Sequence, residues 1–174
     1  MEDNLLRKTN DNISGVLLGQ VSENLKKQTS RSDPFKHWIF GGVLLEEIVD
    51  ELLKLPLSLP KIEKHTGKRE SQNQTRIFFD EHHCNKYSVA KNVAYVFNHP
   101  SIISQLGIIC GRDLTKGKLR IEYTLDTGGF WLEPHLDIKE KLLTFLIYLS
   151  KDPGSSEWGT TIYNRDLKIG RAHV

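Results

Sequence analysis

The spacing of hydrophobic residues along the chain changes after about residue 110. Before that point apolar residues recur every three or four positions, which predicts helices over residues 44–55, 89–97 and 101–110, with short strands over 37–40 and 76–79. Over residues 118–125 the spacing becomes two, with one face formed by Leu119, Ile121, Tyr123 and Leu125. Residues 142–149 are apolar at every odd position, whereas the even positions include Thr144 and Tyr148. The pattern predicts an α+β chain in which helices from the N-terminal half pack on one face of a later sheet.

The first 30 residues form a polar lead. We expect this segment to be partly disordered or a short amphipathic helix, with an apolar stripe made of Ile13, Val16, Leu17 and Val21. Asp33 and Pro34 mark the start of a single domain, which we place over residues 31–168.

An imidazole and a carboxylate stand two positions apart just after the alternating run. Residues 126–129 read DTGG, a turn signal, and are followed by the segment that contains His135 and Asp137. If that segment is extended, the two side chains point to the same side of it. One His and one carboxylate are two of the three protein ligands in the facial triad of non-heme Fe(II) oxygenases. The alternative is a surface turn in which Asp137 caps a neighbouring amide.

The stretch over residues 119–163 carries a family resemblance. It reads LRIEYTLDTGGFWLEPHLDIKEKLLTFLIYLS, followed later by EWGTTIY, and it resembles the metal-binding half of prolyl 4-hydroxylase-like 2-oxoglutarate- and Fe(II)-dependent oxygenases. Residues 33–40, DPFKHWIF, are similar to the opening of many bacterial and phage members of that superfamily. The resemblance implies a jelly-roll-like (cupin-like) double-stranded β-helix, here incomplete at its C-terminus.

The resemblance also implies roles for four residues. His135 and Asp137 would be the catalytic iron ligands, whereas Tyr123 and Tyr148 would bind the co-substrate 2-oxoglutarate. The expected cofactors are Fe(II), 2-oxoglutarate and O₂, with ascorbate as an optional reductant. The expected activity is hydroxylation of a small-molecule or peptide substrate that the sequence does not identify. The alternative is a β-helix domain that binds a ligand or partner without catalysis.

The family also requires a distal His and, about ten residues later, an Arg or Lys that pairs with 2-oxoglutarate. The one His after Asp137 is His173, too close to the first pair and next to last in the chain. Residues 169–174 read IGRAHV, which is the translation of ATCGGAAGAGCACACGTC, the start of a common sequencing adapter. We therefore expect this tail to be non-native, the native chain to continue past Lys168, and the chain as it stands to be inactive.

Composition excludes several classes of function. The 24 basic and 22 acidic residues give a net charge of only +2, which offers no electrostatic reason for binding nucleic acid or a membrane surface. No apolar run has the length of a membrane span, and the N-terminus lacks the pattern of a secretory signal. Cys84 and Cys110 show no metal-type spacing, which favours a reducing, cytoplasmic location.

Other polar clusters have simpler interpretations. Residues 81–84, EHHC, could bind a metal, but they lack a second ligand pair, which favours an exposed turn. His37 and His99 are expected to be structural. The basic loop over residues 61–76 is expected to be a solvated face, the alternative being that Lys68, Arg69 and Arg76 border the mouth of the active site.

Overall fold

The computed structural model describes residues 2–57, 76–125, 131–157, 159–163 and 169–171, with the side chains of residues 2–11, 156–157 and 169–171 left out of the description. The fold of these ranges is α+β, as the sequence predicts. The helices are α1 (Glu2–Leu25), α2 (Glu46–Leu53), α3 (Glu81–Lys86), α4 (Ser88–Phe97) and α5 (Pro100–Cys110), with a 3₁₀ helix at Pro153–Glu157. The strands are β1 (Thr29–Arg31), β2 (His37–Ile39), β3 (Arg76–Phe78), β4 (Glu122–Thr124), β5 (Thr161–Tyr163) and β6 (Ile169–Arg171).

Local sequence signals account for α2, α4 and α5. The helix α5 begins at Pro100, whose missing N–H costs nothing in a first turn, and it ends before Gly111, which adopts the left-handed conformation at φ 68°. The helix α2 carries Glu46 and Glu47 in its first turn, where the helix dipole favours negative charge. The three helices predicted over this part of the chain are therefore confirmed, with small shifts in their ends.

The helices α4 and α5 form the centre of the hydrophobic core. Their buried apolar side chains include Val93, Val96, Ile102 and Leu106. The two helix axes differ by 54° across a short break. Within the described ranges no single helix is both long and apolar enough to cross a membrane, although this bent pair reaches the required length and composition when taken together.

The helix α1 packs on α4 and α5. Leu17, Val21 and Leu25 have no exposed surface, whereas Val16 is 55% exposed. The segment predicted as a polar lead is thus helical and supplies part of the core, although Val16 does not belong to the buried stripe. The division of the chain at residue 30 remains a prediction.

Two polar pairs accompany the apolar contact of α1. The hydroxyl of Ser14 donates to Oδ1 of Asn92 in α4 at 3.0 Å, and Asn92 is itself buried. The side-chain amide of Gln105 in α5 donates to the hydroxyl of Ser22 at 2.8 Å. Since both contacts lie at the helix interface, they exchange hydrogen bonds to water for hydrogen bonds within the protein.

The described strands form three separate antiparallel pairs, β1 with β2, β3 with β4, and β5 with β6. Opposite residues include Ile77 and Tyr123 in the second pair. The predicted strand over residues 118–125 is correct only for Glu122–Thr124, and neither helix nor strand is assigned over residues 131–138 or 142–149. Alternation of side chains is a local property, whereas a strand is defined by hydrogen bonds to a neighbour. The first three residues of the predicted non-native tail form β6.

Three of the four odd positions over residues 142–149 nevertheless show the burial that the alternation predicts, whereas Ile147 is exposed. Leu143, Phe145 and Leu149 pack against the core. The ring of Phe145 lies 5.1 Å from that of Phe40 and 5.7 Å from that of Phe97, measured between centroids, which are common distances for paired aromatic rings. This segment is thus anchored through these three residues, and Thr144 is exposed on the other side.

Candidate functional site

His135 lies on the surface, in a segment without assigned secondary structure. Its ring atom Nδ1 is 2.8 Å from the backbone carbonyl oxygen of Glu133. Because a carbonyl oxygen can only accept a hydrogen bond, Nδ1 must carry the proton and donate. In the neutral ring the lone pair is then on Nε2, which is the arrangement that metal-binding histidines adopt.

Asp137 is held by two groups that follow it in the chain. Its Oδ1 accepts from the ammonium of Lys141 at 2.7 Å, and its Oδ2 accepts from the hydroxyl of Thr144 at 2.6 Å. A backbone hydrogen bond from Lys141 N to Ile138 O, at 3.1 Å, turns the chain so that Lys141 returns toward the carboxylate. The carboxylate is exposed but its orientation is fixed by these contacts.

The sequence interpretation did not assign Lys141 or Thr144 to the site. For Thr144 a signal existed, because it occupies an even position opposite the core-facing Leu143 and Phe145, where a hydroxyl can reach a neighbouring group. For Lys141 the spacing of four residues from Asp137 suggests contact only in a helix. In this structure a turn brings the two side chains together instead.

Tyr123 extends from β4 toward the C-terminal end of α2. Its hydroxyl donates to the carbonyl oxygen of Leu52 at 3.2 Å, and its ring stacks on that of Phe79 with centroids 6.0 Å apart. Burial raises the pKa of the Tyr123 hydroxyl above its usual range. The residue predicted to bind 2-oxoglutarate is thus engaged in a contact between a strand and a helix.

The hydroxyl of Tyr148 is engaged by Thr160. It donates to Thr160 Oγ1 at 2.6 Å and accepts from the backbone N–H of Thr160 at 2.9 Å. The ring lies against Gly159, where the φ of 119° and a distance of 3.3 Å from an added Cβ to the ring both favour glycine. Tyr148 therefore connects the 142–149 segment to the residues just before β5.

No cluster of three or more His, Cys, Asp or Glu side chains with metal-binding geometry occurs among the described residues. His173 lies outside those residues. An imidazole and a carboxylate nevertheless suit Fe(II) in chemical type, since nitrogen and oxygen donors of this kind form its facial triad. The donors present fit two positions of such a site, and we refer to His135 and Asp137 as the half-site.

Both residues of the half-site are exposed in the part of the chain that the structure describes. Two surface depressions, of about 390 and 400 Å³, lie beside the C-terminal end of α5 and around the α4–α5 junction. Neither is lined by His135 or Asp137. The second includes Cys84, whose thiol pKa is raised by burial and, to a smaller degree, by the negative charge of Asp80.

The remaining candidates have local partners. The predicted exposed turn at residues 81–84 is wrong, because these residues begin α3, where Asp80 accepts from the backbone N–H of His83 as an N-cap. His99 contacts the Ser101 hydroxyl at 2.7 Å, and His37 Nδ1 donates to the carbonyl of Phe35 at 2.8 Å. Most of the basic loop, residues 61–75, lies outside the described residues.

Arg76 is the one residue of the predicted basic loop that the structure describes. Its guanidinium pairs with Glu122 at 2.5 Å across the β3–β4 ladder, and only 14% of its side chain is exposed. Arg120 pairs with the other oxygen of Glu122 at 2.5 Å and is 59% exposed. The guanidinium of Arg76 is therefore committed to the strand pair, so the predicted solvated face is wrong at this residue.

Comparison with known proteins gives no further assignment: no protein-family model, no curated protein and no solved structure matches the chain.

Proposed function

We propose that the chain is a prolyl 4-hydroxylase-like dioxygenase that depends on 2-oxoglutarate and Fe(II), with His135 and Asp137 as two of its three iron ligands. The observation that carries the proposal is the hydrogen bond from His135 Nδ1 to the Glu133 carbonyl, which leaves Nε2 to coordinate a metal. Asp137 follows two residues later with its carboxylate held in place by Thr144.

In this proposal the chain binds iron and holds the substrate, which is a small molecule or a peptide. His135 would contribute Nε2 and Asp137 one carboxylate oxygen. When bound, Fe(II) with 2-oxoglutarate and O₂ supplies an oxidation that couples decarboxylation of 2-oxoglutarate to hydroxylation of a substrate C–H bond. The family further requires a distal His as third ligand and an Arg or Lys that pairs with the carboxylate of 2-oxoglutarate.

The double-stranded β-helix belongs to the same proposal. The alternating burial of Leu143, Phe145 and Leu149 supports a strand of such a barrel, as does the β4 strand that precedes the half-site. A cytoplasmic location is also proposed, supported by two cysteines that are both free thiols.

The second candidate is a β-helix domain that binds a ligand without catalysis. It is favoured by the engagement of both predicted co-substrate residues, since the hydroxyl of Tyr123 donates to Leu52 and that of Tyr148 to Thr160. It is also favoured by the position of the half-site outside both surface depressions.

Succinate formation separates the two candidates. The assay would use the complete product of the gene that encodes this chain, with Fe(II), O₂ and 2-oxoglutarate, and candidate substrates added in turn. We expect His135→Ala to abolish succinate formation. His37→Ala is the matched control, because His37 makes the same hydrogen bond to a carbonyl two residues before it but has no carboxylate two residues after it.

Activity that survives His135→Ala would refute the ligand assignment. A complete gene product that lacks a His followed about ten residues later by Arg or Lys would refute the dioxygenase proposal. The non-catalytic binding domain would then be the remaining candidate.

A further inference from the structure

The carboxylate of Asp137 has a cationic partner and a neutral partner on different oxygens. The ammonium of Lys141 contacts Oδ1 and the hydroxyl of Thr144 contacts Oδ2. We propose that Lys141 competes with a divalent metal ion for Asp137, whereas Thr144 is a positioning residue that orients the carboxylate toward the metal. The inference rests on the proposed function, because it concerns metal binding at the half-site.

The competition follows from charge and distance. An ammonium 2.7 Å from Oδ1 occupies the region in which a metal ion would coordinate that oxygen, since divalent metals bind carboxylates at about 2.0–2.2 Å. A +1 and a +2 charge separated by only a few ångströms repel each other even in water. Lys141 must therefore leave Asp137 when a metal ion binds through Oδ1. The Lys141 side chain is 24% exposed, and its long flexible stem gives the ammonium a path into solvent.

Thr144 favours metal binding at Asp137, whereas Lys141 opposes it. Its hydroxyl is neutral, so it can remain on Oδ2 while the other oxygen binds a metal ion. Its backbone is fixed from the opposite side by Leu143 and Phe145, which pack against the core. Partners of this kind, which hydrogen-bond to a metal ligand, typically change metal affinity 10–100-fold when removed.

The two neighbours of Asp137 should therefore shift metal affinity in opposite directions. Lys141→Met should tighten the apparent Kd for Mn(II) about two- to fivefold, which corresponds to losing one partly exposed ion pair. Thr144→Val should weaken binding about tenfold, and Thr144→Ser, which keeps the hydroxyl, should restore it. Lys139→Met is the matched control, since it removes the same charge from an exposed lysine two residues away.

The probe is Mn(II), a paramagnetic divalent ion that suits carboxylate donors such as Asp137. It would be titrated into the full 174-residue chain labelled with ¹⁵N. Electron paramagnetic resonance of free Mn(II) gives the affinity, and paramagnetic broadening of the amide signals near residues 135 and 137 locates the ion. Circular dichroism of each variant confirms that it is folded.

Opposite shifts for Lys141→Met and Thr144→Val, with Lys139→Met close to wild type, support the inference. Equal effects of the two lysine variants would reduce Lys141 to a contributor of net charge and would overturn it. Saturable broadening that His135→Ala removes, but that neither Lys141→Met nor Thr144→Val changes, would leave the proposed half-site intact and overturn the inference alone. No saturable broadening near residue 135 in any variant would overturn the inference, and the succinate assay with His135→Ala would then decide the proposed function.

Discussion

The packing of α1 yields the sharpest stability prediction, because the chain offers a matched pair of valines on that helix. Val21 is fully buried and Val16 is 55% exposed. Val21→Ala removes two methyl groups, worth about 1.6 kcal/mol in transfer free energy, and leaves a cavity that costs about 1 kcal/mol more. The higher helix propensity of alanine returns about 0.5 kcal/mol. We therefore expect Val21→Ala to lower the free energy of unfolding by about 2 kcal/mol.

The assay is thermal and urea unfolding followed by circular dichroism. For a chain of 174 residues, a loss of 2 kcal/mol corresponds to a fall in Tm of about 4–8 °C. Val16→Ala should change the free energy of unfolding by less than about 0.5 kcal/mol, because the side chain is already half in solvent. Equal effects of the two substitutions would mean that α1 is not docked on α4 and α5, and the core described above would then be incorrect.

Two further predictions concern the strand pair that precedes the half-site. Arg76→Met should lower the free energy of unfolding by about 2 kcal/mol, and Arg120→Met by about 0.5 kcal/mol. Both arginines pair with Glu122, but only Arg76 is largely buried. Equal losses of stability in chemical unfolding would contradict this ranking. Tyr123→Phe should lower the free energy of unfolding by about 0.5–1 kcal/mol through loss of the hydrogen bond to Leu52. If Tyr123 also binds 2-oxoglutarate, the same substitution will raise the KM for 2-oxoglutarate in the active protein, and an unchanged KM will assign Tyr123 a structural role alone.

The parts of the fold that the sequence predicts well have signals within a few residues. The start of α5 at Pro100 and its end before Gly111 are examples, since one residue lacks the N–H that a first turn does not need and the other tolerates a positive φ. The short helix α3 also had such a signal in the N-cap Asp80, but its six residues contribute no buried side chain. Because α3 has no apolar stripe, hydrophobic spacing predicts a turn there instead of a helix.

The parts of the fold that the sequence predicts poorly depend on contacts with residues far away along the chain. The alternation over residues 142–149 correctly predicts that Leu143 and Phe145 face the core, but the strand itself requires a neighbour that alternation does not specify. The extent of α1 depends on α4 and α5, which lie far along the chain.

The candidate site also has a part that the local sequence predicts and a part that depends on the fold. The pair His135 and Asp137 is visible as a local pattern. Its surroundings, a carbonyl from Glu133 and side chains from Lys141 and Thr144, depend on how a turn folds back. The sequence thus offers the two ligand candidates and a signal for Thr144, whereas the contact of Lys141 with Asp137 is visible only in three dimensions.

The two serines of α1 help to set the position of that helix along its own axis. Ser14 and Ser22 are eight residues apart, about 12 Å along the axis, and each meets a polar partner on a different helix, Asn92 on α4 and Gln105 on α5. Apolar contacts alone would allow α1 to shift by one helical turn relative to α4 and α5, because leucine and valine side chains are nearly interchangeable in a hydrophobic groove. A slide of that size would separate both polar pairs at once and bury their unpaired groups. These hydrogen bonds therefore favour one axial position of α1, in addition to the hydrophobic contact that holds the helix there.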